Sequence, residues 1–212
     1  MNNGKRPIGI LAVQGDFEKH AQMLERIGAA WKLVKHASDL DDVAGLIMPG
    51  GESTTMLKFL SEGRGEAAPR PMTRATPRVA PTLREAIHQF AASGKPLFGT
   101  CAGAILLARE VLHPAQESLG LLDITIERNA YGRQIDSAVR RGDCPELSDQ
   151  PLEMVFIRAP IIRRLGAGVR VLGRSDGLPV LVEQGHILAA TFHPELTDDA
   201  TIHRYFLKKL TH

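Results

Sequence analysis

The amino-acid sequence predicts an α/β fold: a single domain with an open, mostly parallel sheet, helices on both faces, and antiparallel additions in the C-terminal half. Three observations support this. Short, continuously apolar runs alternate with segments of helical periodicity in the first half of the chain. In the second half, apolar and polar residues alternate between turn signals. The length of 212 residues suits one full-sized domain, so residues 1–212 are expected to form a single unit.

The first half is predicted to begin with a strand, a helix and two more strands. An apolar run at 8–13 is followed by apolar residues at helical spacing over 17–27, which end at Gly28. Two short strands follow at 31–34 and 45–48, separated by a turn at 38–43. A helix at 83–92, a strand at 96–99 and a helical segment at 102–111 complete this half.

The second half is predicted to contain mostly strands. The segments are 122–127, 152–157, 169–174, 179–183 and 187–191. Turn signals such as Ser175-Asp176-Gly177 separate them, and a helix at 199–210 closes the chain. These strands are expected to extend the sheet in antiparallel fashion.

Residues 63–81 differ from their surroundings, with four prolines, two glycines and four arginines. Such a composition disfavours both a helix and a central strand, so we expect an exposed, mobile insertion. Either it is a passive surface loop, or its arginines contact a partner or a phosphate.

Charge and cysteine content exclude several classes of protein. Lys plus Arg total 26 against 24 for Asp plus Glu, and these charges are scattered, which argues against nucleic acid or a membrane surface as the main partner. No apolar run approaches the length of a membrane span, and the N-terminus lacks a signal-peptide core. Two cysteines suit a reducing compartment, so we expect a cytoplasmic protein.

The strongest chemical signal is Gly99-Thr100-Cys101-Ala102-Gly103, where a buried strand turns into a helix. This is the nucleophile-elbow pattern with cysteine in place of serine. The helix start would favour a thiolate at Cys101, and the backbone N–H of Ala102 would face an oxyanion. The alternative is a buried cysteine with a structural role.

A base for this cysteine is predicted in Thr191-Phe192-His193-Pro194-Glu195, which follows another apolar strand. His193 can activate the nucleophile and Glu195 can orient the imidazole. Both motifs follow strand ends, where sites in open α/β sheets lie. The other seven histidines lack this setting, and we expect them at the surface: His20, His36, His88, His113, His186, His203 and His212.

A third motif, Pro49-Gly50-Gly51-Glu52-Ser53, also follows a strand. Its glycines allow a backbone N–H to approach a ligand, so the loop could supply a second oxyanion donor, and Glu52 could accept from a substrate ammonium. The alternative is an ordinary turn with Ser53 as the N-cap of the next helix.

Together these motifs resemble a class I, triad-type glutamine amidotransferase, which implies a flavodoxin-like sheet. Further segments resemble, within that family, the glutaminase subunits of pyridoxal 5'-phosphate synthases. They are Gly9-Ile10-Leu11-Ala12-Val13-Gln14-Gly15-Asp16, Arg128-Asn129-Ala130-Tyr131-Gly132-Arg133-Gln134 and Phe156-Ile157-Arg158-Ala159-Pro160.

The resemblance implies a role for each matching residue. Cys101 is the nucleophile, His193 the general base and Glu195 its orienting carboxylate, with Gly51 and Ala102 as the oxyanion hole. Residues around the substrate glutamine are Gln14, Gly50, Gly51, Glu52, Arg128, Ile157 and Arg158. The planar guanidinium of Arg128 suits a substrate carboxylate, although Arg128 and Arg133 could also be a solvated pair on an edge strand.

The implied reaction is hydrolysis of L-glutamine to glutamate and ammonia through a cysteine thioester, with neither a metal nor an organic cofactor. The resemblance also implies a partner that accepts the ammonia, a (β/α)8-barrel synthase subunit in a hetero-oligomeric complex. Gln14 and the Gly50-Gly51 loop would lie at the docking face and couple partner binding to formation of the oxyanion hole.

Other functions stay open on the sequence alone. The chain could serve a different amidotransferase, such as one in histidine or anthranilate synthesis, or it could be a free-standing cysteine hydrolase of γ-glutamyl or peptide bonds. It could also be a non-catalytic binding module on the same fold. Cys144 lacks neighbouring catalytic residues, and we expect it to be a bystander in a loop.

Overall fold

The computed structural model describes residues 6–62, 80–128 and 137–211. Its strands are β1 Ile8–Leu11, β2 Trp31–Val34, β3 Gly45–Met48, β4 Leu97–Thr100, β5 Ala108–Leu112, β6 Leu122–Glu127, β7 Ser137–Gly142, β8 Leu152–Ile157, β9 Ile161–Leu165, β10 Arg170–Ser175, β11 Leu178–Gln184 and β12 Ile187–Ala190. Its α-helices are α1 Phe17–Arg26, α2 Ser53–Ser61, α3 Leu83–Ala92, α4 Ala102–Leu107 and α5 Thr201–Lys208. Short 3₁₀ helices occupy Ala37–Asp42, Pro194–Leu196 and Lys209–Thr211.

The main sheet has seven strands in the order β10-β11-β12-β4-β3-β1-β2. The five strands from β12 to β2 are parallel, and β11 and β10 join antiparallel at one edge. The predicted fold class is therefore confirmed. Because β3, β4 and β12 are adjacent and parallel, the loops that follow them meet at the same edge of the sheet.

The later strands are distributed differently from the prediction. Only β10 and β11 are antiparallel additions to the main sheet, and β12 lies in its parallel centre. The other strands form two small sheets, one of β5, β6 and β9 and one of β7 and β8. Strands β5, β7 and β9 have no counterpart among the predicted elements.

The helix predicted at 102–111 is too long. It ends at Leu107, and residues Ala108–Leu112 form β5, which pairs with β6. The last helical carbonyls bond to residues brought from further along the chain: Leu119 N–H donates to the Leu106 carbonyl and Leu121 N–H to the Leu107 carbonyl. These tertiary hydrogen bonds replace those that a continued helix would make.

Helices cover both faces of the main sheet, as predicted. Along β3, Leu46 and Met48 join the apolar cluster that contains α2, α3 and α4, whereas Ile47 joins the cluster that contains α1 and α5. This alternation fits strands that are buried on both sides. No helix in the described parts of the chain is long and apolar enough to cross a bilayer.

Two predicted features lie outside the described residues. Most of the expected insertion at 63–81 falls in 63–79, and the segment from Asn129 to Gln134, with Arg133, falls in 129–136. The insertion and its role, and the single-domain assignment of 1–212, stay predictions.

Candidate active site

Cys101 lies at a sharp turn between β4 and α4. Its backbone has φ 48° and ψ −102°, an uncommon conformation for a residue with a side chain. The turn is fixed on both sides, since Cys101 N–H donates to the Ala190 carbonyl at 2.9 Å and its own carbonyl accepts from Ile105 at 3.1 Å. The side chain is buried but not sealed, with the residue 7% exposed, and its Sγ lies 3.8 Å from the Ile157 carbonyl oxygen. The strained elbow therefore presents the sulfur at the carboxyl edge of the sheet.

His193 follows β12, the strand next to β4, and its imidazole contacts both expected partners. Nδ1 lies 2.8 Å from Glu195 Oε1, which leaves Nε2 for Cys101. Burial disfavours the imidazolium, but hydrogen bonds to Cys101 and Glu195 and the negative charge of both raise the pKa of His193 to about 10. The structure thus favours a protonated imidazole beside the sulfur.

Glu195 is buried and stays ionised. Burial alone would raise the pKa of its carboxyl group, but the hydrogen bond from His193 and the positive charge of that imidazole lower the pKa. A carboxylate with one oxygen on His193 Nδ1 fixes the tautomer and the orientation of the base.

The Gly50-Gly51 loop packs directly against the imidazole. A Cβ on Gly50 would stand 2.3 Å from His193 Cε1, so no larger residue fits there without displacing the base. The Gly50 carbonyl accepts from Asp16 N–H at 3.2 Å, and Glu52 N–H donates to Gln14 Oε1 at 2.8 Å. The segment that connects β1 to α1 therefore holds the loop that follows β3. Because the peptide is trans, the Gly51 N–H points away from Asp16.

Glu52, not Ser53, is the N-cap of α2, so the alternative assigned to Ser53 is wrong. The Glu52 carboxylate accepts from Thr54 N–H at 3.1 Å and Thr55 N–H at 2.7 Å. Burial opposes ionisation, but these bonds and those from the two threonine hydroxyls lower the pKa of Glu52 to about 2. The longer glutamate side chain reaches two free N–H groups where serine would reach one.

Arg128 lies beside Glu52 and is mostly buried, so it is not a solvated residue. Its Nη2 is 3.2 Å from Glu52 Oε1, and its Nη1 donates to Gln116 Oε1. Ser53 Oγ donates to the same Gln116 oxygen at 3.0 Å. Gln116 was not predicted from the sequence, because it lies in a loop between β5 and β6 and belongs to no recognisable motif.

Ile157 and Arg158 lie at the end of β8. The Ile157 carbonyl oxygen faces Cys101 Sγ, whereas Arg158 is exposed, with a backbone φ of 43°. The structure thus brings Cys101, His193 and Glu195 together, places Gly50 against the base with Gln14 bonded to the same loop, and pairs Glu52 with Arg128. The functional roles of these residues stay predictions.

The surface location expected for the other histidines is wrong for His20 and His203, which are fully buried. His20 Nε2 lies 3.5 Å from Glu195 Oε2. The sequence did hold a signal for both residues. His20 is four residues before the buried Leu24 on α1, and His203 is three before the buried Phe206 on α5, so both fall within apolar stripes.

Cys144 is buried in the core, where its surroundings make the thiol far less reactive than an exposed cysteine. A Cβ on Gly173 would lie 2.5 Å from its sulfur, so the thiol is tightly packed. Burial, with the nearby carboxylates of Asp143 and Asp199, raises the pKa of Cys144 to about 11. Within the described ranges, no group of three or more His, Cys, Asp or Glu side chains is placed to hold a metal ion.

Comparisons with known proteins agree with this geometry. Residues 10–212 match the SNO glutamine amidotransferase family. The chain is 50% identical to the pyridoxal 5'-phosphate synthase subunit PdxT of Koribacter versatilis, over 95% of this chain and 94% of that protein. It is 45% identical to the protein of the same name from Thermotoga maritima, over 95% and 97%. A crystal structure of a glutamine amidotransferase superposes with a TM-score of 0.83 at 42% identity, over 97% of this chain and 99% of that one.

Proposed function

The chain belongs to the SNO glutamine amidotransferase family, and from this premise we propose that it is the glutaminase subunit of a pyridoxal 5'-phosphate synthase. It hydrolyses L-glutamine to glutamate and ammonia for vitamin B6 biosynthesis, in company with a synthase subunit. The observation that carries the chemistry is the placement of Cys101 and His193 at the ends of adjacent parallel strands, with His193 Nδ1 2.8 Å from Glu195 Oε1.

The proposed reaction has two halves. The Cys101 thiolate adds to the side-chain amide carbon of glutamine, and His193 gives its proton to the nitrogen as the carbon–nitrogen bond breaks, which releases ammonia and leaves a thioester. Water then adds to the thioester carbon while the neutral imidazole takes its proton. Collapse of this second intermediate releases glutamate and returns the sulfur to its initial state.

Negative charge develops on a carbonyl oxygen in both halves, that of the amide in the first and that of the thioester in the second. We assign its stabilisation to the backbone N–H groups of Ala102, at the start of α4, and Gly51, in the loop after β3. One such donor contributes about 100- to 1,000-fold to kcat, so the orientation of the Gly50–Gly51 peptide would control the rate. The bonds from Asp16 and Gln14 to this loop support such a role.

The substrate's charged end would be bound by Glu52 and Arg128. A free amino acid carries one ammonium and one carboxylate, and these two side chains offer the complementary charges within 3.2 Å of each other. In this proposal Gln14, Gly50, Gly51, Ile157 and Arg158 complete the surroundings of the glutamine.

The partner subunit is proposed to be a (β/α)8-barrel synthase in a hetero-oligomeric complex in the cytoplasm. Ammonia released into water would be protonated and lost as a nucleophile, so a partner docked over the site would preserve it. Gln14 bonds to the Gly50–Glu52 loop from outside the triad, which supports a coupling of docking to oxyanion-hole formation.

The test is glutamate release from glutamine by the wild type, Cys101→Ala and Cys144→Ala, each with and without the barrel synthase. We expect full activity only with the synthase, loss of turnover in Cys101→Ala, and activity close to wild type in the matched control Cys144→Ala. Activity that survives Cys101→Ala would overturn the proposed function. Full activity of the isolated chain, or its turnover of peptides, would instead overturn the dependence on a partner.

A further inference from the structure

Behind the triad, two histidines from different helices form a buried cluster with Glu195. His20 on α1 and His203 on α5 are both 0% exposed. Their rings are joined by a hydrogen bond of 3.0 Å between His20 Nδ1 and His203 Nε2. The other ring nitrogen of His20 lies 3.1 Å from Thr100 Oγ1 and 3.5 Å from Glu195 Oε2. Glu195 Oε2 is the carboxylate oxygen that does not face His193, and it has no closer partner among the described residues.

Both rings are neutral in the folded protein. Burial is the main cause that lowers the pKa of His20, and it lowers the pKa of His203 to about 3. Two neutral imidazoles that share one hydrogen bond can be arranged in only two ways, because each ring carries a single N–H.

The two arrangements differ at Glu195. If His20 donated from Nδ1, its Nε2 would present a lone pair to the carboxylate, and His203 Nδ1 would be a buried N–H with no acceptor. If His203 donates from Nε2, His20 accepts at Nδ1 and carries its proton on Nε2. That nitrogen bonds to Thr100 Oγ1 at 3.1 Å and presents its positive N–H end to Glu195 Oε2, 3.5 Å away. The second arrangement avoids both an orphaned donor and a lone pair facing a carboxylate.

We propose that His20 and His203 are positioning residues for the catalytic carboxylate: His203 fixes the tautomer of His20, and the Nε2–H of His20 holds Glu195 Oε2. With one oxygen held from behind, Glu195 keeps its other oxygen on Nδ1 of His193, and the base keeps its Nε2 toward Cys101. This inference rests on the proposed function, since it assigns support to the triad of that reaction.

The kinetic test compares two amides at position 20 in the complex with the synthase. Glutamine can place an N–H near the position of the histidine Nε2, whereas the shorter asparagine reaches only the position of Nδ1. We expect His20→Asn to lower kcat about 10- to 100-fold at unchanged KM, and His20→Gln to restore most of the rate. The matched control is His88→Asn, on α3 and outside the cluster, which should keep the wild-type kcat.

A second measurement uses the unmodified chain and no substrate. Two-bond ¹H–¹⁵N spectra identify which imidazole nitrogen is protonated, and we expect the Nε2–H tautomer for both His20 and His203. A Nδ1–H tautomer at His20 would overturn the proposal, as would equal kcat in folded His20→Asn and wild type, or failure of His20→Gln to exceed His20→Asn. If the wild type itself releases no glutamate, the proposed function fails, while the tautomer result still decides the arrangement of the cluster.

Discussion

Gly103 allows Cys101 to hold its uncommon backbone conformation at the elbow. A Cβ at Gly103 would lie 2.0 Å from the Met48 carbonyl oxygen, so α4 rests directly on the end of β3. Gly99 is packed as closely, since its Cβ would lie 2.6 Å from the Gly103 carbonyl carbon. This contact of backbone on backbone fixes the distance between the nucleophile and the Gly50-Gly51 loop, which follows β3.

We therefore expect Gly103→Ala to lower both stability and activity. Backbone atoms cannot move aside as a flexible side chain would, so the free energy of unfolding should fall by about 1–3 kcal/mol. The glutaminase kcat should fall as well, because the elbow moves relative to its neighbours. Urea unfolding and glutamate release measure the two effects.

The control for this variant is Gly120→Ala, whose Cβ meets no atom within 4 Å but whose φ is 66°. It should lose about 1–2 kcal/mol from backbone strain alone and keep its kcat. If Gly103→Ala kept wild-type kcat, the close contact would have no part in placing the nucleophile.

Among the site residues, the sequence could predict those whose role depends on close neighbours in the chain. Two motifs of this kind could be recognised: Cys101 lies between two glycines, and His193 lies two residues before Glu195. The contacts of His20 and Gln116 could not be predicted in this way, because their partners lie far along the chain: His20 meets His203 across 183 positions, and Gln116 meets Ser53 across 63. The contact between His20 and His203 forms only when α1 and α5 pack together beside β4.

Among the elements, α2 has an N-cap residue with two roles. Glu52 caps the helix through Thr54 and Thr55, and it also pairs with Arg128 at the proposed substrate site. Its carboxylate is oriented by the helix N-terminus before any substrate arrives. Helix α3 has a comparable N-cap in Thr82 with Glu85, but without a site beside it.

We expect Glu52→Gln to lower stability by about 1 kcal/mol at pH 7 and to raise KM for glutamine. The pKa of Glu52 is lowered to about 2, so its stabilisation is present above pH 4.5 and is lost as pH falls through about 2. The difference in urea midpoint between wild type and variant should therefore shrink over that acidic range.

Thr82→Ala is the matched control, because it removes a cap of the same kind from α3. It should lose comparable stability while its KM stays at the wild-type value. An equal rise in KM for both variants would show that KM reports helix stability and not a contact with substrate.

The elements that the sequence predicted best are those buried on both faces. Strands β1, β3, β4 and β12 are uniformly buried and read as continuous apolar runs. Strands β5 and β9 alternate irregularly, and each exists because it pairs with β6. Such short strands depend on a partner that the local pattern does not reveal.

Across the whole molecule, buried neutral histidines link stability to pH. The pKa of His203 is lowered to about 3 from 6.5, and that of His20 is lowered too, so below pH 6.5 the unfolded chain binds more protons than the folded one. The free energy of unfolding should fall as pH decreases from 6.5, by up to about 1.4 kcal/mol per pH unit for each histidine.

We expect His203→Gln to reduce this slope between pH 6.5 and 5, as measured by urea unfolding at a series of pH values. The comparison is His36→Gln, at an exposed histidine. A slope in His203→Gln as steep as in the wild type would mean that His203 is not held neutral by the fold.

The contrast between the two cysteines has a practical consequence for the molecule as a whole. The chain contains only Cys101 and Cys144, and the second is sealed in the core with its pKa raised to about 11. A thiol-directed alkylating reagent at neutral pH therefore meets a single reactive centre per folded chain. The mass that the reagent adds to the protein therefore measures the number of reactive Cys101 sites. A substrate bound at the site will protect the chain from labelling in proportion to its occupancy.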